Sequence, residues 1–239
     1  MVFWMSKRRR VKPFADCVGC EKGKSFLIIG AGGSLREYSD PIKKFIEKEN
    51  AVTIGINKMT GFHIPDYHLW TNKQRWHDFG DCISSDSRLI FGAGLNTKLI
   101  NRHYQGEYIQ VDYTDSPERT AKQSGVGYDD GVIYGNFRTA GCLAVVISHL
   151  FGAENIYIVG MDGYTLHDQK EVLDGLLNQH VYGNGSTDGA TWEQCIYKDE
   201  QVDQALHEIK EYGVAFKILT PTKFTDFYDG TILSDMKQG

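Results

Sequence analysis

Long apolar runs, an even cysteine count and a surplus of positive charge are all missing from this 239-residue chain. No uninterrupted apolar stretch reaches the roughly 20 residues that a transmembrane helix needs, so we expect no membrane span. The formal net charge of −5 argues against nonspecific nucleic-acid binding, because neutralising phosphates takes a clustered cationic surface. We therefore expect a globular protein with no nucleic-acid partner.

Cysteine is scarce as well, with five in the whole chain. An odd number in a chain of this length does not form a disulfide framework, which favours a reducing, cytoplasmic location. Cys17 and Cys20 have the spacing of half a zinc site. No second Cys or His pair stands at a spacing that would complete four ligands, so we expect no metal there.

The N-terminal part of the chain is locally basic, with lysines and arginines between Lys7 and Lys12. We assign residues 1–24 as a basic arm. Such an arm could make peripheral contact with a membrane surface or with nucleic acid, although a solvated terminus is the favoured interpretation. Residues 25–239 then form one domain, which is long enough to bury a substantial core. A homo-oligomer is compatible with this sequence.

Strand-like and helix-like segments alternate through this domain. Apolar, β-prone runs predict strands at 26–29, 51–57, 67–72, 88–92, 108–112, 155–160 and 214–219. Helical spacing predicts helices after Asp40-Pro41, around 98–102, over 139–152 and on the stripe of Val202, Leu206 and Ile209. Such alternation is typical of an α/β fold with a mostly parallel sheet flanked by helices.

Two polar segments interrupt this alternation. Residues 116–136 are polar and rich in glycine, which predicts a long loop of the kind that often borders a site. Residues at about 165–190 are also polar and offer little packing periodicity. They predict a small lid that could close over a ligand.

The most informative segment is the first predicted strand, because it runs directly into glycines. Glycines allow positive φ and close approach of a ligand to the main chain, and successive N–H groups attract phosphate. The segment is too short for the dinucleotide fingerprint and lacks the Gly-Lys-Ser/Thr of a phosphate-gripping loop. It predicts either an anion site or a tight turn without a ligand. The residues are Gly30, Ala31, Gly32, Gly33, Ser34 and Leu35.

Polar side chains follow other predicted strands. Asn57 and Asn72 come at the ends of two of them, and Asp162 comes just after the strand at 155–160. Open α/β sheets bind their ligands beyond the carboxyl ends of the strands. The two asparagines could bond a ribose or base, or could serve only turns. Asp162 could orient a ligand or cap a turn.

Taken in chain order, these motifs resemble those of the bacterial family 42 sialyltransferases. The glycine turn is similar to that family's Gly-x-Gly-Pro-Ser-Leu, and Thr139-Ala140-Gly141 with its apolar helix is similar to the family's Thr-Ser-Gly helix. The segment from Gly160 to Tyr164 resembles the family's Gly-Ile-Asp-x-Tyr strand end, and His180 to Asp188 resemble its lid segment. The resemblance spans about residues 25–222 and is patchy between 75 and 136.

The resemblance implies a Rossmann-like nucleotide-sugar-binding domain with a small lid at about 165–190. It implies an enzyme that moves a sugar, favoured as a CMP-activated acidic sugar, from a nucleotide donor to a carbohydrate acceptor, without a metal or other cofactor. It implies catalytic roles at Tyr164, which would donate to the leaving phosphate, and at Asp162, His180 and Asn184. It also implies that the nucleotide contacts Gly30, Gly32, Gly33, Ser34, Asn57, Asn72, Thr139, Ala140 and Gly141.

The chain departs from the family at three positions. Ala31 stands where the family has an asparagine, and no tyrosine near Lys170 matches a second phosphate-binding tyrosine of the family. The family's general-base histidine aligns with Asn184, which cannot take a proton at neutral pH. A shift in the register of the lid would put His180 in that position, and His167 is a more distant candidate. His180 could equally be a surface histidine.

Two other functions stay open on the sequence. Relatives with the same glycine-Ser-Leu turn resemble pterin diphosphokinases, which use ATP and magnesium. Alternatively, Ala31 and Asn184 fit a nucleotide-binding module that has lost catalysis. Against a metal-dependent sugar transferase, no Asp-x-Asp triplet stands at the end of the strand before Asp162.

Overall fold

The computed structural model describes residues 10–59, 61–114, 125–167, 169 and 190–237. Ten strands form one sheet in this part of the chain. They are β1 (Val11–Pro13), β2 (Ser25–Ile29), β3 (Val52–Ile56), β4 (Tyr67–Trp70), β5 (Arg88–Gly92), β6 (Tyr108–Thr114), β7 (Gly127–Asp129), β8 (Val132–Tyr134), β9 (Asn155–Val159) and β10 (Lys217–Ile218).

Helices cover the two faces of this sheet. They are α1 (Ser39–Glu49), α2 (Lys73–Phe79), α3 (Thr97–Ile100), α4 (Ala140–Leu150), α5 (Trp192–Glu211) and α6 (Thr231–Lys237). Short 3-10 helices lie at Phe14–Cys17, Gly33–Arg36, Gly80–Cys82 and Thr225–Phe227. None of the helices in the described ranges is long and apolar enough to cross a membrane.

The strand order is β10-β9-β2-β3-β4-β5-β6-β8-β7, with β1 also paired to β6. Every pairing is parallel except that of β7 with β8. From β2 the chain steps outward through β3 to β6, and it later returns to add β9 on the other side of β2. The order of the strands therefore reverses between β2 and β9, which is the switch point where such sheets bind ligands.

The predicted α/β class with a mostly parallel sheet is confirmed. Helix α4 is buried from Gly141 to Ser148, as its apolar sequence predicts for a central helix. The stripe predicted on α5 also faces the core, since Val202, Leu206 and Ile209 are all buried. Together with the apolar strands, these helices form the main core of the domain.

Part of the N-terminal segment that we expected to be a solvated arm belongs to the sheet and the core. Val11–Pro13 pairs in parallel with β6, and Phe14 and Cys17 are buried in the main core. The solvated arm that we expected is therefore wrong from residue 11 onward, because a buried aromatic ring anchors this segment to the sheet. Residues 1–9 lie outside the described part of the chain.

The long loop expected over 116–136 is wrong in its second half, where β7 and β8 form a hairpin. Asp130 and Gly131 connect the two strands, and both have positive φ, at 45° and 79°. Asp-Gly is the usual sequence of a two-residue hairpin turn with that backbone, so the turn signal was present. The lid predicted at about 165–190 lies largely outside the described residues and stays a prediction.

Candidate functional site

A cavity of about 210 Å³ opens at the switch point between β2 and β9. It is formed by four chain segments that are far apart in the sequence, together with side chains from α5 and from the C-terminal region. Its lining consists of Gly30, Ala31, Gly32, Ile56, Asn57, Thr139, Ala140, Gly141, Gly160, Met161, Asp162, Gly163, Tyr164, Asp199, Val202 and Phe224.

The glycine turn forms one wall and pairs closely with the end of β9. The main-chain N–H of Gly30 donates to the Val159 carbonyl at 2.8 Å, and that of Gly32 donates to the Gly160 carbonyl at 2.9 Å. A Cβ on Gly30 would lie 2.3 Å from the Gly160 oxygen, so this close approach needs glycine. These two N–H groups are therefore already hydrogen-bonded within the protein. A ligand would contact other atoms of the turn.

Asp162 fastens this turn to the strand end. Its carboxylate accepts hydrogen bonds from the main-chain N–H of Ser34 at 2.9 Å and from Ser34 Oγ at 2.5 Å. Only 5% of the Asp162 residue is exposed, and burial raises the pKa of its carboxyl against the lowering effect of the two Ser34 bonds. Asp162 therefore caps the turn, and because it also lines the cavity, its role towards a ligand stays a prediction. Gly33 and Ser34, which the resemblance predicted as nucleotide contacts, are not part of the cavity lining.

The N-terminus of α4 also lines the cavity. Thr139 is the N-cap, and its Oγ1 accepts from the Cys142 N–H at 3.3 Å. The first N–H groups of a helix have no partner within the helix, and the helix dipole adds positive potential there. Ala140 and Gly141 supply these groups at the cavity lining. This end of α4 is suited to bind an anion.

Asn57 supplies an unsatisfied polar atom at the cavity. Its backbone is left-handed, with φ of 55°, and the buried ring of His68 bonds its carbonyl oxygen through Nε2. The side-chain Oδ1 is buried and has no hydrogen-bond partner among the described residues. An unpaired buried oxygen is costly, and a donor group on a ligand would satisfy it.

Tyr164 and Asp199 form another wall of the cavity, and Asp199 belongs to α5. The Asp199 carboxylate is 4% exposed and accepts from the N–H groups of Tyr164 and Thr165, each at 2.7 Å, and from Thr165 Oγ1 at 2.7 Å. It thereby fixes the segment that follows Gly163, whose φ is 86°. Burial raises the pKa of the Tyr164 phenol, so this group stays protonated and can donate.

Asp199 was missed by the sequence reasoning, although a signal existed. It lies on the same helical face as Val202, Leu206 and Ile209, so it interrupts an otherwise apolar buried stripe. A carboxylate at such a position requires buried hydrogen-bond donors. Tyr164 and Thr165 provide them.

The structure does not bring every predicted residue to the cavity. Asn72 is exposed, caps the N-terminus of α2 by accepting from the Arg75 N–H at 3.0 Å, and is not part of the cavity lining. His180 and Asn184 lie outside the described residues. His167 is exposed, and its charge lowers the pKa of Asp162 as one of several causes. Within the described ranges, no three His, Cys, Asp or Glu side chains are grouped so that they could hold a metal ion.

A second cavity of about 500 Å³ adjoins the first across Asp199 and Phe224. Its wall combines the ring of Trp192 and the half-exposed Ile196 with carboxylates on α5 and on the segment after β10. The lining consists of Thr165, Trp192, Ile196, Asp199, Glu200, Asp203, Lys223, Phe224, Thr225 and Asp226.

No protein-family model and no curated protein matches this chain. Among solved structures, the chain is similar to a mammalian sialyltransferase crystallised in complex with Gal-beta-1-3GalNAc-ortho-nitrophenol. The two share 12% sequence identity with a TM-score of 0.40, over 83% of this chain and 70% of that chain. A similarity at this level carries no conclusion about function.

Proposed function

We propose that this chain is a glycosyltransferase that moves a sugar from a nucleotide donor to a carbohydrate acceptor without a metal ion. The donor we favour is a CMP-activated acidic sugar. The observation that carries the proposal is the convergence of the glycine turn, Asn57, the start of α4 and the Gly160–Tyr164 segment on one cavity at the switch point. These are the segments whose sequences resemble the family 42 sialyltransferases.

The nucleotide would span the cavity between Asn57 and α4. Its phosphate would lie at the first N–H groups of α4, at Ala140 and Gly141, where the helix dipole favours negative charge. A donor group on the base or ribose would satisfy Asn57 Oδ1. The glycine turn would form one wall of the nucleotide site, because Gly30, Ala31 and Gly32 all line the cavity.

Transfer breaks the bond between the anomeric carbon and the phosphate oxygen and forms a bond from that carbon to the acceptor oxygen. CMP leaves with the negative charge, which the Tyr164 O–H would stabilise by donating to the phosphate. Asp199 holds Tyr164 in place through its main-chain N–H, at 2.7 Å. The acceptor proton would pass to a base, for which His180 stays the candidate.

The acceptor carbohydrate would bind in the second cavity. The Trp192 ring offers an apolar face against which a sugar ring can stack, and Glu200, Asp203 and Asp226 offer oxygens that accept from sugar hydroxyls. The two cavities share Asp199 and Phe224, so an acceptor there would adjoin the donor sugar.

The test is a transfer assay on the full chain, with CMP-activated acidic sugars and a panel of galactose- and glucose-terminated acceptors, in the presence and absence of EDTA. We expect CMP release that depends on acceptor and is unchanged by EDTA. Binding of cytidine nucleotides without any turnover would favour the inactive binding module. Magnesium-dependent consumption of ATP with a pterin alcohol would contradict the proposal in favour of the diphosphokinase.

A further inference from the structure

Cys17 and Cys20 lie at the two ends of a tight turn that precedes β2 and contacts the C-terminal end of α4. The Cys20 N–H donates to the Cys17 carbonyl at 3.1 Å. Val18 has φ of −60° and ψ of 125°, and Gly19 has φ of 73°. These angles define a type II β-turn in which glycine occupies the position that needs positive φ.

This turn geometry suits a disulfide between its ends. The first and fourth Cα atoms of a β-turn lie within about 7 Å, and disulfides join Cα atoms about 4.4–6.8 Å apart. The turn is also anchored to the end of α4, because the Gly19 N–H donates to the Leu150 carbonyl at 2.8 Å and the Glu21 N–H to that of Phe151 at 2.9 Å. The Cα atoms of the two cysteines are therefore held close together in the folded protein.

The two cysteines differ in access. Cys20 is exposed, and its Sγ lies 3.9 Å from the Tyr67 hydroxyl. Cys17 is only 1% exposed and belongs to the main core. Burial raises the pKa of the Cys17 thiol, while the charge of Lys12 and a hydrogen bond from it act in the lowering direction. An external reagent would therefore reach Cys20 before Cys17.

We propose that Cys17 and Cys20 form a reversible disulfide by exchange with a low-molecular-weight disulfide of the glutathione class. The Cys20 thiolate attacks one sulfur of the small disulfide, which forms a mixed disulfide and releases one small thiolate. The Cys17 thiolate then attacks Cys20 Sγ and displaces the second small thiolate. The two cysteines are oxidised, the small disulfide is reduced to two thiols, and the two cysteine protons end on those thiols.

The experiment equilibrates the full folded chain in mixtures of reduced and oxidised glutathione and quenches the exchange with acid. The protein is then alkylated and digested with trypsin, and the peptides are analysed by mass spectrometry. Trypsin releases residues 11–22 as one peptide, because the bond after Lys12 precedes Pro13 and resists cleavage. We expect this peptide to become two hydrogens lighter and to lose both alkyl groups as the oxidised fraction rises. Reduction with dithiothreitol before alkylation should restore the two hydrogens and both alkyl groups.

Two variants serve as controls. Cys20→Ser changes an exposed side chain and should abolish the two-hydrogen loss, whereas Cys82→Ser should leave it unchanged, since Cys82 lies at the distant Gly80–Cys82 segment. A stable glutathione adduct on Cys20 without the internal disulfide would overturn the proposal. So would two thiols that stay fully alkylated at every glutathione ratio. Neither result depends on the proposed transferase activity.

Discussion

Asp162 and Ser34 lie 128 positions apart in the chain, and the carboxylate of one accepts both the main-chain N–H and the hydroxyl of the other. This pair joins the ends of β2 and β9, the two strands between which the strand order reverses. It therefore sets the distance between two walls of the cavity. We call it the Ser34–Asp162 clamp.

Ser34→Ala should destabilise the protein by about 1–3 kcal/mol, because it leaves Asp162 Oδ1 buried without its hydroxyl partner. Urea unfolding monitored by circular dichroism gives the value. Ser234→Ala is the matched control, since Ser234 is exposed and its hydroxyl donates to the Gly230 carbonyl just before its own helix. This variant should stay within about 0.5 kcal/mol of the parent. Equal unfolding midpoints for both variants would show that the clamp adds no stability.

Gly32→Ala should cost about 2 kcal/mol or more, because the added Cβ would lie 2.4 Å from Asp162 Cγ and force the clamp apart. The cost is steric alone, as the φ of Gly32 is −63°, a value that any residue adopts. Gly61→Ala is the control, with no atom within 4 Å of the added Cβ. The comparison is made by thermal unfolding. If Gly32→Ala unfolded at the same temperature as Gly61→Ala, the close packing of the turn on Asp162 would be refuted.

Protonation of the buried His68 should destabilise the folded protein in acid. Burial lowers the pKa of this histidine from its ordinary 6.5 to about 4, so the folded chain keeps it neutral where the unfolded chain binds a proton. Its contribution is complete above pH 6.5 and is lost as the pH falls towards 4, by about 3 kcal/mol in all.

The measurement is the difference in unfolding free energy between the parent and His68→Gln, taken at several pH values from 7 to 4. Glutamine keeps a donor for the Asn57 carbonyl but does not titrate in this range. The difference should shrink as the pH falls towards 4. A difference that does not change with pH would contradict the buried neutral histidine.

Tyr164→Phe should lower kcat for transfer about 100-fold with little effect on the KM for the donor, because it removes a hydrogen bond that strengthens as charge develops on the leaving phosphate. CMP release measures this directly. Tyr212→Phe, at an exposed position directly after the C-terminal end of α5, should have the same kcat as the parent. Unchanged kcat in Tyr164→Phe would remove the phenol from the mechanism.

The sequence predicted the elements that carry strong patterns. The buried helix α4, the strands that precede Asn57 and Asp162, and the stripe on α5 all stand within a few residues of their predicted positions. Apolar periodicity over many residues leaves few alternative structures. The convergence of their ends on one cavity follows from parallel pairing, which the alternation of strands and helices already indicated.

Other features depended on contacts between distant segments. β1 is only three residues long and has one half-buried side chain, so its pairing with β6 leaves no periodic signal. Asp162 caps the turn by accepting from Ser34, which is far away in the chain, so this hydrogen bond could not be predicted from the sequence. Asn72 follows a strand and also begins α2, where its side chain caps the helix, and the sequence carried no signal for that second position.

Calorimetric titration of CMP tests the central claim, that this cavity binds a nucleotide, most directly. It compares the parent with Asn57→Gly, which removes the amide while keeping the left-handed backbone free of strain, and with Asn50→Gly, another left-handed asparagine at the end of α1. We expect CMP to bind the parent and Asn50→Gly equally, and Asn57→Gly about 5- to 10-fold more weakly, the value of one hydrogen bond. Absence of binding to the parent at millimolar CMP, or equal binding to all three proteins, would contradict the account.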